Sequence, residues 1–157
     1  MPAYALLVAL GIALPLLAWW TSPVVRSLVL ALGVRRLTLF HAWRIPAALV
    51  FLKAGLDGRL PPLFWILAGT GDLLRGLFAL TVWRGPREPD RYRWIHLFGF
   101  ADFVVAVGTG LAFILLGDPP MATLTTMPMA LIPLFGVGLS GASHVVALTL
   151  LAQRQAG

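Results

Sequence analysis

Long apolar blocks separated by short polar breaks run along the whole chain. The blocks are roughly 20 residues long, which is the length a helix needs to cross a ~30 Å hydrocarbon core. The pattern predicts five spans, at about 3–20, 37–54, 61–83, 94–116 and 128–151. Residues 24–36 lie between the first two and are too short to cross. They are expected to form a short interfacial or re-entrant helix, or to extend the next helix with Gly33 as the break. No short polar/apolar alternation repeats along the chain, as an outer-membrane barrel requires, so the pattern favours helices over strands. The predicted fold is all-α: one polytopic membrane bundle of about five transmembrane helices, with a short interfacial helix after the first.

The breaks carry turn chemistry. Thr21-Ser22-Pro23 offers a hydroxyl cap and a proline at a helix start. Gly55–Arg59 reads as a turn, and Pro61-Pro62 starts the next helix. Gly117-Asp118-Pro119-Pro120 ends span four, and a moderately polar loop follows to Thr126. Pro15 and Pro46 fall inside spans one and two and are expected to kink them. Residues 84–93 form the most polar segment and are expected to face water. Residues 1–20 lack a basic leader and end Leu-Ala-Trp-Trp, so they are expected to persist as a span rather than to be removed as a signal peptide.

Composition agrees with this pattern. The 157 residues are 59% hydrophobic and 11% charged, against about 25% charged in a soluble domain. The net charge of +6 does not point to nucleic acid, because the basic residues sit between apolar blocks. Arg26, Arg35, Arg36, Arg84, Arg87, Arg91, Arg93 and Arg154 fall on one side of the predicted bundle, and only Lys53 and Arg59 on the other. That bias predicts an inner-membrane protein of a bacterium with its N-terminus outside and its C-terminus cytoplasmic. The chain has no cysteine, which excludes disulfides and thiolate metal sites. Neither an internal repeat nor a low-complexity tract is present, and no catalytic set is recognisable. Trp65, Trp83, Tyr92 and Trp94 are expected to anchor at the interface.

The candidate chemistry lies inside the spans. Arg44, Asp72, Arg75 and Asp102 are charges within apolar helices, where they are costly and usually face protein or water. From the rise of ~1.5 Å per residue, Arg44, Arg75, Asp102 and His144 lie roughly 10–12 Å from one end of their spans. Asp72 lies one turn deeper, and His41 and His96 are shallower. Two pairings balance the charges: Arg44 with Asp72 and Arg75 with Asp102, or the exchange. Asp72 and Arg75 are also three apart on one helix face. Ser140 shares the face of His144 one turn earlier. His41, His96 and His144 come from three helices and are candidate ligands for a metal or haem, if they converge. Gly69, Asp72, Gly76 and Ala79 lie on one face of span three, and further glycines recur at 108, 110, 136, 138 and 141. Such small residues let membrane helices approach closely.

From Arg44 to Ala79 the chain resembles a group of small uncharacterised bacterial integral membrane proteins. The resemblance rests on Arg44, Phe51-Leu52, Leu60-Pro61, Gly69-Thr70-Gly71-Asp72 and Gly76. It implies that the hairpin of spans two and three is a unit, and it carries no activity. Three functions fit the residues. The first is a cytoplasm-facing polar pocket built from Arg44, Asp72, Arg75, Asp102, His144 and Ser140, for a small polar ligand or protons. The second is a redox or metal protein using His41, His96 and His144. The third is a structural subunit of a membrane complex, its charges pinning helices together. The expected partners are the lipid bilayer and a membrane-protein partner or second copy.

Overall fold

Helix starts follow the proline and hydroxyl signals closely. In the computed structural model, which describes residues 2–86 and 88–153, α1 (Pro2–Thr21) is followed at once by α2 (Pro23–Phe40). The Ser22 hydroxyl accepts the Val25 N–H at 3.3 Å, with Pro23 at the first helical position. A 3₁₀ turn, His41–Trp43, leads into α3 (Arg44–Leu56), and α4 (Pro62–Leu80) returns alongside it. The long α5 (Pro89–Leu115) is followed by a 3₁₀ stretch, Pro119–Thr125. A π-helical segment, Ile132–Val137, then runs into α6 (Gly138–Gln153). No strand occurs among the described residues. Four helical stretches are long and apolar enough to cross a membrane: Ala3–Thr21, Pro62–Leu80, Pro89–Leu115 and Ile132–Gln153.

Several expectations are corrected. Residues 24–36 follow the second of the two expected arrangements, running on into the next helix with Gly33 as the break, whereas 37–54 is not one uninterrupted helix. Gly33 breaks α2 by adopting φ +70°, a left-handed conformation that glycine reaches without steric cost. The second break precedes Pro46, which sits in the first turn of α3 rather than in mid-helix. There its missing N–H is one that would have had no helical partner anyway. Span three ends at Leu80, not Trp83, and α5 begins at Pro89, so part of the polar 84–93 segment is helical. Tyr92 is buried rather than interfacial. Span five starts in π-helix, and the loop before it is partly 3₁₀. Pro15 lies within a continuous α1. Arg87 and Arg154 of the basic side, and the tail 154–157, lie outside the described residues.

The bundle has two ends. At one, the Tyr4 hydroxyl donates to the Leu124 carbonyl (2.6 Å) and Thr123 to the Arg59 carbonyl (2.8 Å). At the other, Arg35 donates to the Val82 and Trp83 carbonyls and Arg91 to that of Thr81. Each end has its own apolar core. Phe51, Leu60, Phe64, Met121 and Leu124 pack at the Tyr4 end, and Trp19, Val34, Val82, Tyr92 and Leu150 at the Trp83 end. α3 and α4 form the most extensive helix pair, with Gly76 set against Ile45 and Gly69 against Leu52. α1 packs on α6 and the π-helical segment rather than on α5. Much of the outer surface is apolar: Leu6, Leu14, Leu63, Val104 and Leu115 are among many exposed large side chains.

Candidate functional site

Between the two apolar cores lies a layer of buried polar side chains. Thr38, His41, Arg44, Asp72, Arg75, His96, Ser140, Ser143 and His144 are all buried, four of the ring and guanidinium side chains completely. The layer is built from one face of each inner helix. Thr38, His41 and Arg44 recur at intervals of three through the end of α2, the 3₁₀ turn and the start of α3. Asp72 and Arg75 come from the glycine-lined face of α4. His96 and Asp102 come from α5, and Ser140, Ser143 and His144 from the first turns of α6.

The charged half centres on Arg44. Its Nη1 lies 3.0 Å from Asp72 Oδ1 and 2.9 Å from Asp102 Oδ2. One guanidinium therefore serves both carboxylates, and neither predicted pairing scheme is realised. Gly71 makes this approach feasible, because a Cβ there would overlap the Asp102 carboxylate. Among the described residues Arg75 forms no ion pair. It donates to the Ile95 carbonyl and lies over the Phe98 ring, 5.4 Å from its centroid. Its Nε and Nη2 are buried without partners.

The imidazole half contains all three histidines, which converge although two were expected to be shallower. His41 and His144 stack at 4.1 Å between centroids, with 14° between planes. His96 meets both edge-on, at 5.6 Å and 5.2 Å. Its Nδ1 lies 3.0 Å from His144 Nδ1. Thr38 holds His96 and Ser143 holds His41, each at 2.9 Å. His96 is fully buried. Ser140 does not reach a histidine through its side chain; its hydroxyl accepts Trp43 Nε1–H at 3.2 Å. The sequence reading missed Thr38 as a site residue, although its place three residues before His41 signals a shared face. A porphyrin does not fit here, since the three rings are in direct contact and leave no gap for a macrocycle.

The chain belongs to the family described as domain of unknown function DUF8737, which matches residues 1–152. No curated protein and no solved structure matches it. Membership carries no chemistry, so geometry must supply it.

A cavity of about 190 Å³ reaches the polar layer from the Tyr4 end, in the gap between α1 and α5. Its walls are apolar, with Val8, Phe51, Phe64 and Phe103 prominent, and Arg44 and Asp72 are the charged groups it meets. Asp102, Arg75, His144 and Ser140 do not line it. This differs from the expected polar pocket, which was placed towards the 84–93 end and shared by all six residues. The cause is the side chains themselves: Trp19, Val82, Tyr92 and Val146 fill the bundle at that end, and Arg44 gathers both carboxylates inward.

Proposed function

We propose that the chain is a five-span membrane protein whose cavity binds a small amphiphile, an apolar body with a hydrogen-bond-donating or cationic group. What carries this reading is the cavity floor, where an apolar chamber ends on the Arg44–Asp72 pair. Four spans are the long apolar helices, and the fifth is the broken path 34–56, about 34 Å at ~1.5 Å per residue. The exposed apolar surface supports a lipid environment, because soluble proteins rarely leave so large an apolar area uncovered. The basic bias supports the Trp83 end as cytoplasmic in a bacterial inner membrane, which puts the cavity in the half away from the cytoplasm.

The floor selects the ligand. Asp72 shares the single Arg44 Nη1 with Asp102, so its carboxylate keeps lone pairs free to accept a hydrogen bond at the floor. An anion is disfavoured there, and an amine or hydroxyl is favoured. The volume slightly exceeds the ~150 Å³ of an apolar cavity known to accept benzene. Benzylamine and benzoate are therefore matched probes for protein in lipid nanodiscs. Benzylamine should raise the melting temperature and benzoate should not. Ala106→Trp, which fills the chamber, should abolish the shift. Equal effects of both probes, or a shift that survives Ala106→Trp, would sink the reading.

A further inference from the structure

The three histidines form a second site, since none of them lines the cavity. Proton accounting decides what they offer. The Thr38 hydroxyl donates to the Val34 carbonyl (2.8 Å) and the Ser143 hydroxyl to the Ser140 carbonyl (2.9 Å). A hydroxyl has one proton. Each therefore meets its histidine as an acceptor: His96 Nε2–H donates to Thr38, and His41 Nε2–H to Ser143. A neutral imidazole protonated on Nε2 keeps a lone pair on Nδ1. His41 Nδ1 is buried with no partner, and so is His144 Nε2. His96 Nδ1, a lone pair by the same reasoning, faces His144 Nδ1 at 3.0 Å. His144 must supply the proton of that contact.

We propose that His41, His96 and His144 bind one divalent first-row transition ion of the zinc type, through three neutral imidazoles. One ring nitrogen from each lies within 4.8 Å of the other two. Zinc–nitrogen bonds of ~2.0–2.1 Å in a tetrahedron set the nitrogens about 3.3 Å apart. The His96–His144 contact at 3.0 Å is already near that spacing. The ion takes the position of the proton between these two Nδ1 atoms, and that proton passes to His144 Nε2. The His41 ring leaves its stack on His144 and closes by up to about 1.5 Å to complete the set. Thr38 and Ser143 then provide the outer hydrogen bonds that orient metal-bound imidazoles.

Charge permits the ion. Arg44, Arg75, Asp72 and Asp102 sum to zero, so the layer is not positive overall. Arg75 sits beside His144, where Gly99 leaves room for both; a Cβ on Gly99 would overlap each of them. Its unpartnered Nε and Nη2 are donors for an oxygen ligand at the fourth position, the position that three-histidine sites leave open.

The test uses tag-free, full-length protein in detergent, stripped with chelator and titrated with Zn²⁺ and with Co²⁺. The expected result is one ion per chain and the visible d–d bands of four-coordinate Co²⁺. His96→Gln and His144→Gln should remove both signals. Thr38→Val and Ser143→Ala keep the rings and should weaken binding about 10–100-fold. The proposal is overturned if the folded wild-type chain binds no stoichiometric ion, or if the histidine variants bind as well as wild type. If those variants do not fold, unchanged affinity in both hydroxyl variants overturns it. Benzylamine binding in the cavity should persist in Ser143→Ala, which separates this site from the other.

Discussion

The charged half and the imidazole half of the polar layer lie at one level of the bundle, yet they are stabilised by different means. Around Arg44, burial is tolerated because opposite charges meet: one guanidinium reaches two carboxylates at about equal distance. Around the histidines no carboxylate takes part. Hydroxyls that are already committed to helix carbonyls accept the ring protons instead. In the first arrangement the unpartnered atoms are donors, Arg44 Nε and Arg75 Nε and Nη2, which cannot ligate a cation. The second leaves ring nitrogens without partners. Buried ion pairs thus act as a joint between α3, α4 and α5, whereas the histidines retain unused coordinating capacity.

Substitutions can break this contrast in order of size. Arg44→Met leaves two carboxylates buried without a cation and should cost about 3–5 kcal/mol in equilibrium unfolding. A loss below about 1 kcal/mol would show that Arg44 is not the centre of the charged half. Arg75→Met removes a carbonyl hydrogen bond and a ring contact, not an ion pair, and should cost about 1.5–3 kcal/mol. If it costs more than Arg44→Met, the division between the halves is wrong.

Gly99→Ala pushes a methyl into Arg75 and His144 and should destabilise by about 1–3 kcal/mol. Gly108→Ala is the control. Nothing lies within 4 Å of its Cβ position, so better helix propensity should stabilise by up to about 1 kcal/mol. Thermal melts of the two variants moving in the same direction would refute the packing argument. It also follows that Gly108, unlike Gly69 and Gly76, is not a close-packing glycine. Tyr4→Phe loses one hydrogen bond, to the Leu124 carbonyl, and should cost about 0.5–1.5 kcal/mol. Benzylamine should still bind this variant, because its amine is assigned to Asp72 and the Tyr4 hydroxyl is already committed to the Leu124 carbonyl; loss of the melting shift would move the binding group away from Asp72.

Much of this layer was legible in the chain. Arg44, Asp72, Arg75, Asp102 and His144 stand out because each interrupts an apolar helix at a similar depth, and they do gather at one level. Thr38 was not legible as a site residue. A hydroxyl can bond its own helix anywhere, so its role depends on what lies opposite. His96 lies deeper than expected because α5 begins at Pro89, about five residues before the apolar block, which places His96 about two turns inside the helix rather than at its edge.

Helix content and the shared level of Arg44, Asp72, Arg75, Asp102 and His144 followed from the sequence by itself. The reason is that apolar segments of spanning length can satisfy their backbone only as helices, and helical rise converts position into depth. Tertiary structure decided the rest. Two arginines and two aspartates allow several pairings of equal formal charge, and only interhelical distances select the one in which Arg44 takes both carboxylates. Three histidines on three helices become a cluster only when Thr38 and Ser143 turn their rings towards one another. The gap that forms the cavity arises because α1 packs on α6 rather than on α5, a choice of neighbour that no single helix encodes.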